Sequence, residues 1–591
     1  MAKSTWLVSP PGPGGKWRAS LYRGTLAVAC VLTTGSLILQ IGFAFPDAVH
    51  AGLIWVNFLV VCLFFILVIM ETAQAIRTRR PIRYLIFELF LILFLIGEFV
   101  FLRSRYSGEP WRPGSSVILI QIYLLVLQAY FIWVLIRRGY EAGRRLFFLS
   151  FTPAATVSLS FILLILIGTA LLMLPRATHG GLVPNISFLD ALFTSTSAVC
   201  VTGLTVVDTA TRFSQLGQIF IVLLIQLGGF GIMTFVGIFM FTFGQSSSLR
   251  GRLVMQDILV REGGQQVASF LRIMLLNTFL FELVGTAFLA VGFYSRWHAW
   301  PDAFFAAVFH SVSAFCNAGF STFSNNLESF RDSPLIVLTV SSLIIAGGIG
   351  FTVQYELTMR VFHFVFGKRN SPLSLHTRVV LRVTAVLLAG GMLAVWWGGD
   401  WSRSTWLETL LASFFHSVSA RTAGFNTIPL AWLAPWTIVI LMILMFIGGA
   451  PGGTAGGIKV STAGMLYYST RSLLKGRPHI EIMGRTIGQQ AVHTAFVVSG
   501  LATAFVALSA IALVYAEPEQ DFLVLLFEVL SAFGTVGLSL GVTPELSPLG
   551  KMILILTMYV GRVGPLTLVL GLIKKKDEAL YTYPSGTIVI G

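Results

Sequence analysis

The chain has 591 residues, 55% of them hydrophobic and only 11% charged, with a mean hydropathy of +0.83. That is more apolar side chain than a soluble domain can hide in its core, so the composition excludes a soluble class and indicates an all-α polytopic membrane protein in a lipid bilayer. The net charge of +15 invites a nucleic-acid reading, but the basic residues fall in short segments between apolar runs rather than on one amphipathic face, and no nucleic-acid partner is expected.

In chain order, spans predicted near 24–45, 52–73, 84–102 and 115–136 make an N-terminal four-helix transmembrane extension, residues 1–150. The first follows a basic stretch, as a signal peptide would, but its apolar part is long for one, and a retained helix is expected. Glu71, Glu88 and Glu98 sit near predicted span ends, and the extension reads as a packing or assembly domain. Basic clusters recur at the N-terminus, at 77–83, 137–145, Arg250 to Arg272, Lys368 to Arg382, 471–478 and 574–576. An even number of predicted crossings separates each from the next, which assigns all of them, and both termini, to the cytoplasmic side. The opposite loops hold Asp208, Glu328, Asp332, Asp400, Glu408, Glu517, Glu519, Asp521 and Glu545, and would concentrate cations. Cys30, Cys62, Cys200 and Cys316 show no CxxC spacing, so neither a disulfide framework nor a metal site on side chains is expected.

From about residue 150 the chain repeats itself. The stretches "FLDALFTSTSAVCVTGLTVVD" (188–208), "FFAAVFHSVSAFCNAGFSTFS" (304–324), "LLASFFHSVSARTAGFNTIPL" (410–430) and "LVLLFEVLSAFGTVGLSLGVT" (523–543) each hold a Ser-Ala pair and, five or six residues after the serine, a glycine followed by a large apolar residue. Those glycines are Gly203, Gly319, Gly424 and Gly537. Each unit reads as a helix, a re-entrant half-helix with a loop, and a returning helix. Leading helices are predicted near 153–175, 272–294, 377–397 and 491–515, and returning helices near 216–243, 334–366, 434–469 and 549–573. The repeats are bounded as 151–250, 251–370, 371–480 and 481–591, for a total of twelve crossings and four re-entrant segments.

An apolar stretch of about 12 residues is too short to cross a bilayer and return. It can enter halfway as a helix and leave extended, provided its backbone is buried in protein or lines water. Four such loops around one axis would face their carbonyl oxygens at one another and replace the hydration shell of a cation. Glycine supplies the backbone angles, and the half-helices would turn the negative ends of their dipoles inward. No acid lies in the loops, which favours a monovalent ion over a divalent one. The competing explanation, small residues that merely let helices pack closely, does not account for four copies in register.

"GGAPGGTAGGIK" (448–459) interrupts the third returning helix; seven of ten positions are Gly or Pro, which cannot hold a regular helix. A Walker phosphate loop is excluded because Ile458 separates Gly457 from Lys459 and no strand precedes it. Arg562 places a charge inside the last span, where ionisable groups face a cavity or a partner. Arg421 lies inside the third loop and is expected to brace it from behind; His310 and His416 occupy matching half-helix positions and are expected to hydrogen-bond behind the loops.

The set "SAVCVTGL", "SAFCNAGF", "SARTAGF" and "SAFGTVGL" resembles the Trk/Ktr/HKT superfamily of potassium transporters, specifically its bacterial TrkH/KtrB-type membrane subunits, over roughly residues 150–575. The resemblance implies a selectivity filter for K+ made of Val201, Thr202 and Gly203, Asn317, Ala318 and Gly319, Thr422, Ala423 and Gly424, and Thr535, Val536 and Gly537. It also implies an intramembrane gate at Gly452, Gly453, Thr454, Gly456 and Gly457, with Lys459 and Arg562 beside it. Relatives with serine in the first filter are Na+-selective; Gly203 therefore favours K+. The third loop departs from the pattern, since Ser419 precedes Gly424 by five residues rather than six, which puts the alignment of its carbonyls in question. The implied partners are a cytoplasmic ring of nucleotide-binding (RCK-type) regulatory subunits, expected at the basic loops 244–272 and 368–382, and a second copy in a homodimer.

The resulting expectation is channel-like K+ uptake across the cytoplasmic (inner) membrane, with K+ as the only bound ion and no organic cofactor in this chain. A Na+- or H+-coupled secondary transporter is the alternative, although the loops contain no titratable site. An enzyme is not expected, because no nucleophile and base stand at catalytic spacing within the repeats.

Overall fold

The computed structural model describes residues 153–179, 186–243, 264–367, 372–402, 404–477 and 479–565, together with a few single positions between 35 and 49. The four expected N-terminal spans with Glu71, Glu88, Glu98, Cys30 and Cys62, the basic segments 244–263, 368–370 and 574–576, and the end of the last span all lie outside the described residues. The chain divides into two compact units, Met1–Phe151 with Leu174–Arg176 and Gly180–Val183, and Thr152–Met173 with Ala177–His179 and Pro184–Gly591. The second unit holds all four copies of the repeated phrase.

The first copy comprises α1 (Pro153–Leu172), α2 (Phe188–Val199) and α3 (Gln215–Phe243). The second has α4 (Gly264–Trp297), α5 (Trp300–Phe315), α6 (Pro334–Gly348) and α7 (Phe351–Val365). The third has α8 (Leu375–Gly398), α9 (Trp406–Ser419), α10 (Pro435–Phe446) and α11 (Val460–Leu474). After a hairpin of β1 (Glu481–Ile482) and β2 (Arg485–Thr486), the fourth has α12 (Gln489–Ala516), α13 (Phe522–Gly534) and α14 (Pro548–Val563). Among the described residues Arg272–Trp297, α8 and α12 are each long and apolar enough to cross a membrane, and α6 with α7 qualifies as a bent pair.

Helix starts follow local chemistry. Ser187, Ser374, Asp521 and Ser547 accept first-turn amides through their side chains, Thr405 and Glu408 form a capping box, and proline opens α6, α10 and α14. Two of the acids expected to draw cations, Glu408 and Asp521, are thus occupied at helix starts.

Glycines seat the half-helices against their neighbours, on both sides of α2 and α5 and on one side of α9 and α13. A methyl on Gly168, Gly285 or Gly391 would collide with the hydroxyl of Ser195, Ser311 or Ser417. Those hydroxyls instead donate to the carbonyls of Ile165, Glu282 and Leu388 at 2.7 Å each, tying leading helix to half-helix three times in the same way. The fourth copy uses apolar groups there, with Val529 and Ala502 fully buried in one cluster. On the other side Gly228, Gly347 and Gly561 admit the terminal carbonyls of Val199, Phe315 and Phe533, which any larger residue would strike.

The copies close into a circle. The returning helix of each packs on the half-helix of the next: α3 on α5, α6 on α9, α10 on α13, and α14 back on α2. The last joint is fastened by an ion pair, Lys551 Nζ to Asp190 Oδ1 at 2.7 Å, and by Tyr559 donating to the Ser158 carbonyl at 3.0 Å.

One expectation is corrected. The second returning segment, predicted as a single helix over 334–366, is broken between Gly348 and Phe351 and bends by 107°. Gly347, Gly348 and Gly350 weaken the helix locally, and Gly350 takes φ +84°. The groups freed at the break find partners: Gly348 O accepts from Ala450 N at 2.9 Å, and Phe351 N donates to Gly452 O at 3.1 Å.

Candidate functional site: a ring of main-chain oxygens

Each half-helix ends in a loop with the same backbone rhythm. Two residues with positive φ stand two apart: Val201 (58°) and Gly203 (92°), Asn317 (62°) and Gly319 (70°), Thr422 (76°) and Gly424 (77°), Thr535 (49°) and Gly537 (93°). Alternation of the sign of φ turns successive carbonyls to one side, where an ordinary strand would alternate them. Val201, Asn317, Thr422 and Thr535 each carry strain of about 1–2 kcal/mol in this conformation, which only strong surroundings hold in place.

The serines of the four Ser-Ala pairs supply part of that hold. Ser197 Oγ accepts from Gly203 N at 3.0 Å and Ser531 Oγ from Gly537 N at 3.1 Å; Ser313 Oγ donates to Phe320 O at 2.8 Å, and Ser419 Oγ to Phe425 O. Main-chain bonds from Thr202 N to Ser197 O (2.7 Å), Ala318 N to Ser313 O (2.7 Å), Ala423 N to Ser419 O (2.9 Å) and Val536 N to Ser531 O (2.8 Å) close each loop.

The four loops meet. A methyl on Gly203 would overlap the carbonyl of Ala318, one on Gly319 that of Ala423, one on Gly424 that of Val536, and one on Gly537 that of Thr202. The order is cyclic and closed, so all twelve residues of the four loops gather around one axis. Side chains turn away: those of Val201, Thr202, Asn317, Ala318, Thr422, Ala423, Thr535 and Val536 are buried, and Asn317 reaches Thr422 Oγ1 at 3.3 Å. Gly203, Gly319, Gly424 and Gly537 line an open vestibule of about 560 Å³ that also exposes Asp208 and Glu328.

The third loop stays in register despite its missing residue. The deletion falls between Ser419 and the positive-φ residue Thr422, at the end of α9, and leaves Thr422, Ala423 and Gly424 spaced as in the other copies. Gly424 meets Val536 and Gly537 as Gly203 meets Ala318 and Gly319. Arg421 occupies the altered turn and donates to Gly448 O at 3.1 Å, away from the axis.

Residues 448–459 run without helix between α10 and α11. Ile447 and Ile458 form a short parallel bridge, and Gly448 N donates to Ile458 O at 2.9 Å. Gly452 (φ 72°) and Gly457 (φ 64°) make the turns, Gly453 lies against Gly347 and Gly350, and a side chain on Gly456 would strike Thr535. Thr454 Oγ1 donates to Phe315 O at 3.4 Å, at the end of α5. Arg562 is buried and clamps the segment, Nη1 donating to Thr454 O and Nη2 to Gly228 O at 2.5 Å. Lys459 Nζ donates to Ala455 O at 2.6 Å, so its ammonium closes the segment on itself. The residues expected at a gate are therefore brought together, packed against the inner ends of the loops.

His310 and His416 are buried in α5 and α9 and bond the carbonyls of Ala306 (2.8 Å) and Ala412 (3.0 Å) through Nδ1. Two features escaped the sequence reading. One is the bend at Gly350, foreshadowed by three glycines in "AGGIGF" (346–351). The other is Glu528, buried in α13 at the position matching His310 and His416, three residues before its Ser-Ala pair.

Comparison with known proteins agrees with this geometry. The family described as TrkH, cation transport protein, matches residues 147–398 and 406–582. Ktr system potassium uptake protein B of Bacillus subtilis is 38% identical over 446 residues, covering 75% of this chain and 97% of that protein. Potassium/sodium uptake protein NtpJ of Enterococcus hirae is 37% identical over 450 residues, covering 74% and 97%. The potassium transporter TrkH from Vibrio parahaemolyticus shares the fold at TM-score 0.55 and 21% identity, over 83% of this chain and 97% of its own. The family is one of transporters rather than enzymes, and the chain belongs to it: a TrkH-family cation transport protein of the Trk/Ktr superfamily.

Proposed function

We propose that this chain takes up K+ across the cytoplasmic membrane by channel-like permeation. Ions collect in the vestibule, shed water at the ring formed by Thr202, Ala318, Ala423 and Val536 carbonyls with their glycines, and pass residues 452–457 when these move aside. The supporting observation is the closed ring of Gly203, Gly319, Gly424 and Gly537, whose twelve loop residues present main-chain oxygen and no acid, at a vestibule that Asp208 and Glu328 line. Uncharged carbonyl oxygens suit a large monovalent ion that sheds its water readily. Membrane voltage, worth about 2.3 kcal/mol per charge per 100 mV, can drive the uptake.

In this reading residues 448–459 are the gate, held shut by Arg562, and both termini are cytoplasmic. A cytoplasmic ring of nucleotide-binding (RCK-type) subunits acts on the loops 244–272 and 368–382, and the membrane subunit is a homodimer. These assignments draw on the family, whose relatives include a protein named Ktr system potassium uptake protein B.

The test is flux of K+, Rb+ and Na+ into liposomes for the parent and for Gly203→Ser. The expected result is K+ and Rb+ well above Na+ in the parent and a raised Na+ share in the variant; equal K+ and Na+ rates in the parent would refute K+ selectivity. A second reading, uptake coupled to Na+ or H+, gains support from the relative named a potassium/sodium uptake protein. Accumulation of K+ against its gradient, with only a Na+ or H+ gradient supplied, would favour that reading.

A further inference from the structure

The position three residues before each Ser-Ala pair is Thr194, His310, His416 or Glu528. In two copies its side chain reaches forward to the segment that leaves the ring. His310 Nε2 lies 3.0 Å from Ser321 Oγ, two residues beyond Gly319. Ser539, two residues beyond Gly537, donates its hydroxyl to Glu528 Oε1, while Thr543 Oγ1 donates to Oε2 at 2.9 Å. Both serines then accept the amide two positions on, Phe323 N at 3.0 Å and Gly541 N at 2.9 Å. In the other two copies no side chain stands in the serine's place: Thr194 donates to Asp190 O in its own helix at 2.8 Å, while His416 faces only the main chain of Ile428, and Asn426, two beyond Gly424, bonds Glu328 and Ile428 O.

The ring order puts copies two and four opposite each other. The two side-chain links therefore lie on one diagonal, outside the carbonyls they serve. A ring that is free to contract solvates a smaller ion as well as a larger one, so preference for the larger depends on resistance to contraction or on the fixed number of oxygens. Because neighbouring loops touch around the whole ring, stiffness along one diagonal limits the other. A carboxyl in the membrane interior is costly, and Glu528 offsets that cost by receiving two hydroxyls from the segment that follows its loop.

Resting on the K+ permeation reading above, we infer that Glu528 with Ser539 and His310 with Ser321 are paired positioning contacts that hold one diagonal of the carbonyl ring and so set discrimination of K+ against smaller cations such as Na+. None of the four touches the ion.

The experiment measures Na+ and K+ flux into liposomes for the parent, Ser321→Ala, Ser539→Ala, Glu528→Gln and, as a control, Ser342→Ala, whose hydroxyl bonds only its own helix. The Na+/K+ flux ratio is expected to rise about fivefold in each of the three variants, the equivalent of one lost hydrogen bond, and to stay at the parent value in the control. A merely structural role would lower thermal stability or yield and leave the ratio unmoved. Each serine variant removes a single oxygen, so both retain the test if Glu528→Gln fails to fold. A selective parent with unchanged ratios in the serine variants would overturn this inference alone; an unselective parent would overturn the permeation reading and this inference together.

Discussion

The four loops of the ring and the single segment 448–459 use the same small residues under opposite symmetry. In the ring every copy contributes two positive-φ residues and one glycine packed on the next carbonyl, and the one side-chain bond to a ring oxygen is neutral and long, from Asn326 Nδ2 to Gly424 O at 3.5 Å, among the described residues. In the segment main-chain oxygens are consumed: Gly448 O by Arg421, Thr454 O by Arg562, Gly452 O by Phe351 N and Ala455 O by Lys459. Repetition suits the coordination of a spherical ion, which needs equal oxygens on all sides. A one-sided plug fastened from several copies suits a barrier that must open as a unit.

The largest effect should come from breaking the ring's symmetry. Gly424→Ala forces a side chain into φ 77° and onto the Val536 carbonyl, and K+ flux in liposomes should fall at least tenfold, a loss of about 1.4 kcal/mol or more. The same substitution at Gly390, where nothing lies within 4 Å, should leave flux near the parent value. Unfastening the segment comes next. Arg562→Gln removes a buried positive charge and two of the clamp's hydrogen bonds, and K+ flux should rise on the order of tenfold, the size expected for one like charge at roughly 10 Å and an effective dielectric of about 20; a fall in flux would speak against a gate held shut by Arg562. The smallest effect concerns the vestibule. Partial burial holds the Glu328 carboxyl above its ordinary range, against the pull of Asn426 and Arg331. It therefore takes up its proton at a higher pH than a free glutamate, and the vestibule loses that charge as the outer pH falls. Uptake at low K+ should drop by about twofold over that acid range, and Glu328→Gln should flatten the profile.

The repeat, the half-helices and the loop glycines were legible because each is written as a local pattern that recurs. The interruption at 448–459 was legible because its Gly and Pro content leaves helix no chance. The bend at Gly350 was not, since three glycines in an apolar run also suit close helix packing, and Gly347 does serve that purpose against Phe315. What decides is Gly452, about a hundred residues away, which accepts the amide freed at Phe351. Glu528 was passed over for the same kind of reason: its partners Ser539 and Thr543 lie on the far side of the loop, where only the folded chain returns them. The one-residue deletion before Gly424 threatened the ring on paper, yet the end of α9 absorbed it.

The joint of α14 with α2 joins the quarter of the chain made last to a quarter made far earlier, with Asp190 and Lys551 paired across 361 positions. Ribosomal synthesis and membrane insertion proceed from the N-terminus, so three loops must wait as an open arc with exposed polar backbone until the final hairpin arrives. Ring closure is thus the contact of longest loop-closure entropy, and a chain truncated before α12, which lacks the whole fourth copy, should be left with a leaking or collapsed arc rather than three-quarters of a working transporter.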